Sequence, residues 1–97
     1  MTVLEIATFH LRPGVSEAAY LEADEAVERT HVSKQPGFIS REIGTADDGQ
    51  QIVVVHWADA ASADASMAGF MDAPATADFM ALVAADTMAM TRYTLRD

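Results

Sequence analysis

Pro36-Gly37-Phe38 and, further on, Ile52-Val53-Val54-Val55-His56-Trp57-Ala58-Asp59 are the stretches whose reading decides the fold. Proline and glycine turn the chain, and Phe38 to Gly44 then reads as a strand. Asp47-Asp48-Gly49 is a hairpin turn signal. Gln51 to Trp57 is a β-branched run, the most strand-like in the chain. Ala58-Asp59 delivers it into a helix. Before this hairpin the chain reads strand then helix; after it, helix then strand. The order β-α-β-β-α-β is the split-βαβ or ferredoxin-like motif. It predicts an α+β fold with an antiparallel four-stranded sheet and helices on one face.

Upstream, Val3 to Leu11 places Val3, Glu5, Ala7, Phe9 and Leu11 on one side and Leu4, Ile6, Thr8 and His10 on the other. Both sides are largely apolar, which predicts a central strand covered on both faces. Arg12-Pro13-Gly14 ends it. Ser16 is a natural N-cap for a helix from Glu17 to Ser33. Helical spacing gathers Tyr20, Ala23, Val27, Thr30 and His31 on one face and turns Glu22, Glu25 and Glu28 to solvent. Downstream, Asp59 or Ser62 caps a helix whose apolar face is Ala63, Met67, Phe70 and Met71. Asp72-Ala73-Pro74 interrupts it, and Pro74 suits the first turn of a new helix. Phe79, Leu82 and Val83 form the next apolar set, and the last strand is Met88 to Leu95.

Length bounds the chain to one domain, residues 1–97, with a modest core. Hydrophobic residues make up 51%, enough to imply a buried surface beyond the core of a monomer. The sheet face opposite the helices carries Leu4, Ile6 and valines of the third strand. An apolar face of that size would not stay wet. The expectation is a homodimer with two sheets face to face, and a pocket in each subunit between helices and sheet. The net charge of −9, from 15 acidic against 6 basic residues, argues against nucleic acid and anionic membrane surfaces as partners. No run is long and apolar enough to span a membrane. The opening Met1-Thr2-Val3-Leu4-Glu5 has neither the basic region nor the apolar run of a secretory leader. The absence of cysteine removes thiol chemistry. The expected compartment is the cytoplasm.

Three histidines are available as general bases: His10, His31 and His56. His31 falls on the apolar helix face with Tyr20 and Val27, or is a helix-end residue bonded to a carbonyl. His56 ends the third strand near the mouth of any cleft, with its side chain opposite to Val55 and Trp57. His10 ends the first strand. No histidine pair has metal-ligand spacing, and Asp47-Asp48-Gly49 is better read as a turn than as a calcium loop. A glycine-rich phosphate loop and a nucleophile elbow are both missing, so no cofactor and no metal is expected. Glu5 shares its strand side with Val3, Ala7 and Phe9; it either reaches solvent from the strand end or pairs with Arg41 or Arg92 on neighbouring strands. Five of six methionines (Met67, Met71, Met80, Met88, Met90) lie in the second half. Methionine is flexible and polarizable; with Phe70 and Phe79 these side chains either fill a core or wall a cleft for a flat aromatic ligand. The expected pocket wall is Phe9, Trp57, Met67, Phe70, Met71 and Phe79.

"LRPG" after the first strand, "QPGFISRE" at the second and "VVVHWAD" before an Ala-rich helix resemble the antibiotic biosynthesis monooxygenase family over nearly the whole chain. The resemblance implies a dimeric α+β barrel built from ferredoxin-like subunits. It implies cofactor-free oxygenation of quinol-like or polyphenolic substrates, although the superfamily holds other chemistries. Haem-degrading members carry an Asn, a Trp and a His at positions that fall here on Ala7, Phe70 and Met80, so an iron ligand is missing. Many members have a His directly after the helix-opening proline; Pro74 is followed by Ala75. On the oxygenase reading His56 or His31 is the base, and Arg41 or Tyr93 stabilises the oxyanion. The rival expectation is a non-catalytic dimeric module that binds a small ligand or a protein partner.

Overall fold

A computed structural model describes residues 1–96; Asp97 lies outside the described residues. The elements run β1 (Val3–Leu11), α1 (Glu17–Thr30), β2 (Phe38–Thr45), β3 (Gln51–Trp57), α2 (Ala60–Phe70), α3 (Pro74–Leu82) and β4 (Val83–Thr94). The strands form one sheet in the order β2-β3-β1-β4, and every neighbouring pair is antiparallel. This is the ferredoxin-like α+β architecture that the order of elements predicts.

Two turns are fixed by local chemistry. Gly37 has φ +83°, and a Cβ there would stand 2.5 Å from the Ser62 Cβ, so only glycine fits between β2 and the start of α2. The Ala58 N–H donates to the Gly37 carbonyl at 2.7 Å and ties the two turns together. Asp59, not Ser62, is the N-cap of α2: both the Ser62 N–H and the Ser62 hydroxyl donate to its carboxylate. These bonds hold the Asp59 carboxyl below its usual range.

Strand alternation sorts the sheet. Val53, Val55 and Trp57 are buried under the helices, while Ile52, Val54 and His56 alternate with them and face the open side. The valines of β3 are therefore divided between the two faces rather than presented to the open one. Phe9, Tyr20 and Phe79 pack edge-on or tilted, with ring centroids 5.8–5.9 Å apart. They join β1, α1 and α3 at the centre of the core.

Three expectations are corrected. Helix α1 ends at Thr30 rather than Ser33, and a short 3-10 turn, Val32–Lys34, follows. Thr30-His31-Val32 is poor helix sequence, and the His31 ring is drawn off to bond α2. Thr30 is exposed, its hydroxyl donating to the Ala26 carbonyl, while Asp24 takes a buried place on that face. The last strand begins at Val83 rather than Met88, so Val83 belongs to the sheet and not to a helical apolar set. Leu11 and His10 pair with Val83 and Ala84, and Thr8 pairs with Ala89, so Ala85 to Met88 bulge opposite Phe9. Thr87 Oγ1 stabilises the bulge by donating to the Ala84 carbonyl and accepting from the His10 N–H.

Candidate functional site

A cavity of about 190 Å³ lies between the sheet and α2–α3. Its floor is the helix-facing side of the sheet: Glu5, Ala7 and Phe9 from β1, Val53, Val55 and Trp57 from β3, Arg41 from β2, and Met88 and Met90 from β4. Its roof is Ser66, Met67 and Phe70 of α2, with Met71, and Phe79 and Met80 of α3. Met67, Met71 and Met90 are exposed and mark the mouth. An apolar cavity of ~150 Å³ already admits a benzene ring; this one is larger and has flexible thioethers at its entrance.

All six residues expected in the pocket wall, Phe9, Trp57, Met67, Phe70, Met71 and Phe79, stand in it. So do Met80, Met88 and Met90, so that the five late methionines meet at one place. Glu5 is missing from the expected site. Its alternation with Ala7 and Phe9 along β1 was the available signal.

The four expected catalytic residues are not brought together. Arg41 lines the cavity. His56 and Tyr93 do not, because strand parity turns them to the open face: His56 pairs with Leu4 across β1, and Leu4 with Tyr93 across β4. His56 Nε2 lies 4.0 Å from Glu42 there, and Tyr93 is 52% exposed. His31 is buried between α1 and α2 outside the cavity wall. Its Nε2–H donates to the Ser66 carbonyl at 3.2 Å, and its Nδ1 accepts from Gln35 Nε2 at 3.3 Å. Both ring nitrogens are thus engaged: Nε2 fastens the end of α1 to α2, and Nδ1 holds the turn that follows α1. His10 also faces the open side.

Arg41 is held by a bidentate pair with Asp24, at 2.6 and 2.8 Å, with side chains only 3% and 6% exposed. Glu28 stands 3.5 Å away. Burial works against the guanidinium charge, but the Asp24 hydrogen bonds and the two carboxylates outweigh it and raise the Arg41 pKa. Burial, reinforced by the Asp24 charge, pushes the neighbouring Tyr20 hydroxyl well above the ordinary phenol range. Tyr20 therefore stays protonated and is no base near neutrality. Its hydroxyl and Trp57 Nε1 are buried without a hydrogen-bond partner among the described residues. Glu5, with its side chain 12% exposed, pairs with Arg92 at 3.1 Å, and Arg92 reaches on to Asp64 of α2 at 2.6 Å. Of the two arginines open to Glu5 on the sequence, the structure uses Arg92, since Arg41 belongs to Asp24. Among the described residues no group of histidine and acidic side chains is arranged to hold a metal ion, and no helix is long and apolar enough to cross a membrane.

Comparison with known proteins puts these features in context. The family profile described as antibiotic biosynthesis monooxygenase matches residues 2–82. No curated protein matches the sequence. Among solved structures, SnoaB, a cofactor-independent oxygenase from Streptomyces nogalater, is similar with a TM-score of 0.80 and 19% identity, over 99% of this chain and 94% of that one. Rv0793 from Mycobacterium tuberculosis is similar with a TM-score of 0.70 and 20% identity, over 100% and 97% of the two chains. A dimeric protein of ferredoxin-like fold from Bacteroides fragilis is similar with a TM-score of 0.65 and 12% identity, over 97% and 96%. At these identities the likeness is one of fold.

Proposed function

Because the chain belongs to the antibiotic biosynthesis monooxygenase family, we propose that it is a cofactor-independent monooxygenase of flat, electron-rich aromatics of the quinol, anthrone or polyphenol type. The observation that carries this reading is the cavity: a wall of aromatic rings and thioethers, with Glu5, Arg41 and Ser66 as its few polar side chains. Such a wall favours a flat hydrocarbon framework and excludes water from it. The positions that would serve haem in degrading members, Ala7, Phe70 and Met80, all stand in this wall without an imidazole among them. The likeness to SnoaB supports the same reading.

For an anthrone the overall reaction is a methylene plus dioxygen giving a ketone plus water. The substrate loses a proton, and its anion passes one electron to dioxygen. The radical pair combines to a peroxide; loss of the second C–H proton then breaks its O–O bond, so the inner oxygen becomes the ketone and the outer one leaves as water. The organic anion supplies the electrons, so the protein has to bind, orient, exclude water and move one proton. Purified protein stripped of metal and free of flavin is expected to consume oxygen with anthrones or naphthoquinols above the spontaneous rate. Uptake no faster than the blank across such a panel would replace this reading with a non-catalytic binding module.

The reading takes residues 1–97 as one unit and a second copy of the chain as its partner. Leu4, Ile6, Ile52 and Val54 make the open sheet face apolar, and burying it against its own copy removes that surface from water. The neighbour from Bacteroides fragilis is dimeric, which supports a dimer here. Sedimentation at micromolar concentration is expected to give a dimer; a stable monomer would contradict the paired-sheet arrangement.

A further inference from the structure

One transverse rung of the sheet floor carries charge at three of its four positions. Arg41 on β2 is in register with Val55 on β3, Val55 with Glu5 on β1, and Glu5 with Arg92 on β4. Arg41, Val55 and Glu5 all line the cavity. Glu5 and Arg41 stand two strand spacings apart, about 10 Å between Cα atoms, with the small apolar side chain of Val55 between them. A fused aromatic ring laid on Val55 would have a carboxylate at one edge and a guanidinium at the other.

The two charged groups are held in different ways. Two of Arg41's five donors are fixed on Asp24, so its position is set and its charge is partly balanced. Glu5 is held through one oxygen. Arg92 binds Oε2, and Arg92 is itself tied to Asp64 outside the cavity. Among the described residues no side chain or backbone donor binds Oε1. The Glu5 side chain is 12% exposed, and a carboxylate oxygen in a largely apolar wall is a strong hydrogen-bond acceptor open to a ligand's donor. The other groups able to take a proton are elsewhere: His10 and His56 face the open side, His31 is fastened to Ser66 and Gln35, and Tyr20 is held protonated.

We propose that Glu5 is the proton acceptor of the site. Its substrate would be a flat carbon acid of the anthrone type, whose carbonyl oxygen lies toward Arg41 across Val55. This deepens the oxygenase reading and rests on it only for the steps that involve dioxygen. A Glu5 carboxylate oxygen takes the acidic proton and leaves the electron pair on the substrate, where Arg41 favours charge spread onto the carbonyl oxygen. After dioxygen has added, the peroxide anion takes the same proton back. Water then leaves with the second hydrogen, and Glu5 ends as it began.

The test needs no oxidation. Under anaerobic conditions in heavy water, the protein is expected to accelerate deuterium exchange at the methylene of anthrone, read by NMR. Glu5→Gln keeps the size of the side chain and is expected to lower that acceleration about 100-fold. Binding of anthraquinone, which has no exchangeable methylene, should stay unchanged and is read by the fluorescence of the single tryptophan, Trp57, in the cavity wall. Glu5→Asp keeps the charge but withdraws it by one methylene, and its exchange rate should fall between the two. Exchange at the wild-type rate in Glu5→Gln, or no acceleration by the wild-type protein, overturns the assignment. Acceleration of exchange without oxygen uptake would instead remove the oxygenase reading and leave Glu5 in place.

Discussion

Asp24→Ala is expected to destabilise the protein by about 3–5 kcal/mol, a large part of the ~5–15 kcal/mol that holds a small domain folded. The reason is what the substitution leaves behind. Arg41 is 3% exposed and gives two hydrogen bonds to Asp24; without Asp24 its charge remains buried and unbalanced. Glu28 is 42% exposed and 3.5 Å away, so it compensates in part and pulls the cost toward the lower end. Replacing both partners, Asp24→Leu with Arg41→Met, is expected to cost less than Asp24→Ala alone, because no orphaned charge remains. Urea unfolding of the single and double variants at unchanged m-value checks this. A loss below about 1 kcal/mol in Asp24→Ala would mean that the pair behaves like an exposed one. The pair also joins α1 to the wall of the cavity, so the fold and the site share it.

Ala7→Phe is expected to abolish turnover, down to the spontaneous rate, while the protein stays folded. Ala7 stands on the cavity floor between Val53 and Met90, with Glu5 and Phe9 two residues to either side on the same strand face. Side chains on a strand stand roughly perpendicular to the sheet, so a benzyl group there projects into the space a substrate ring needs. Overpacking a full core costs about 1–3 kcal/mol; here the ring enters a cavity of about 190 Å³, and the change in melting temperature should be small. Displacement of a substrate by even ~1 Å from its productive pose costs about 100-fold, and a filled floor displaces it altogether. Loss of anthraquinone quenching of Trp57 fluorescence, with melting preserved, is the expected signature. A variant that keeps wild-type turnover would place the chemistry outside this cavity.

The fold was legible because its punctuation is local. Pro36-Gly37, Asp47-Asp48-Gly49, Asp59 and Pro74 each act within a few residues of themselves, and each appears in the structure as a turn, a cap or the first turn of a helix. The β-branched run Gln51 to Trp57 marked β3 as a strand, while the division of its valines between the two faces was not read from it. What was not legible depends on distant partners. Asp24 sits between Tyr20 and Val27 on the buried stripe of α1, but only Arg41, two elements away, makes an acid tolerable there. The start of β4 depends on the bulge opposite Phe9, which Thr87 stabilises through His10 on another strand.

The candidate site divides in the same way. The apolar wall was readable because methionine and phenylalanine at helical spacing on α2 and α3 point one way. The polar groups were harder. Strand parity separates His56 from Trp57, so the two face opposite sides of the sheet and only Trp57 reaches this cavity. Tyr93 follows Leu4 to the open face through the β1–β4 register, which no local pattern of β4 reveals. Parity along β1 likewise groups Glu5 with Phe9, but its partner had to be found among two arginines on different strands. The choice fell to Arg92 because Asp24 already holds Arg41.

The central claim is that this cavity oxygenates an aromatic substrate with dioxygen alone. It is tested most directly by a reaction under isotopically labelled dioxygen, using metal-stripped, flavin-free protein and anthrone, with Ala7→Phe in parallel. The expected result is one labelled oxygen atom in the new carbonyl per turnover, formed faster than in the blank by the wild-type protein and at the blank rate by Ala7→Phe. Equal product formation in the blank and in both proteins, or a carbonyl oxygen drawn from water with no exchange of the product to account for it, would contradict the account.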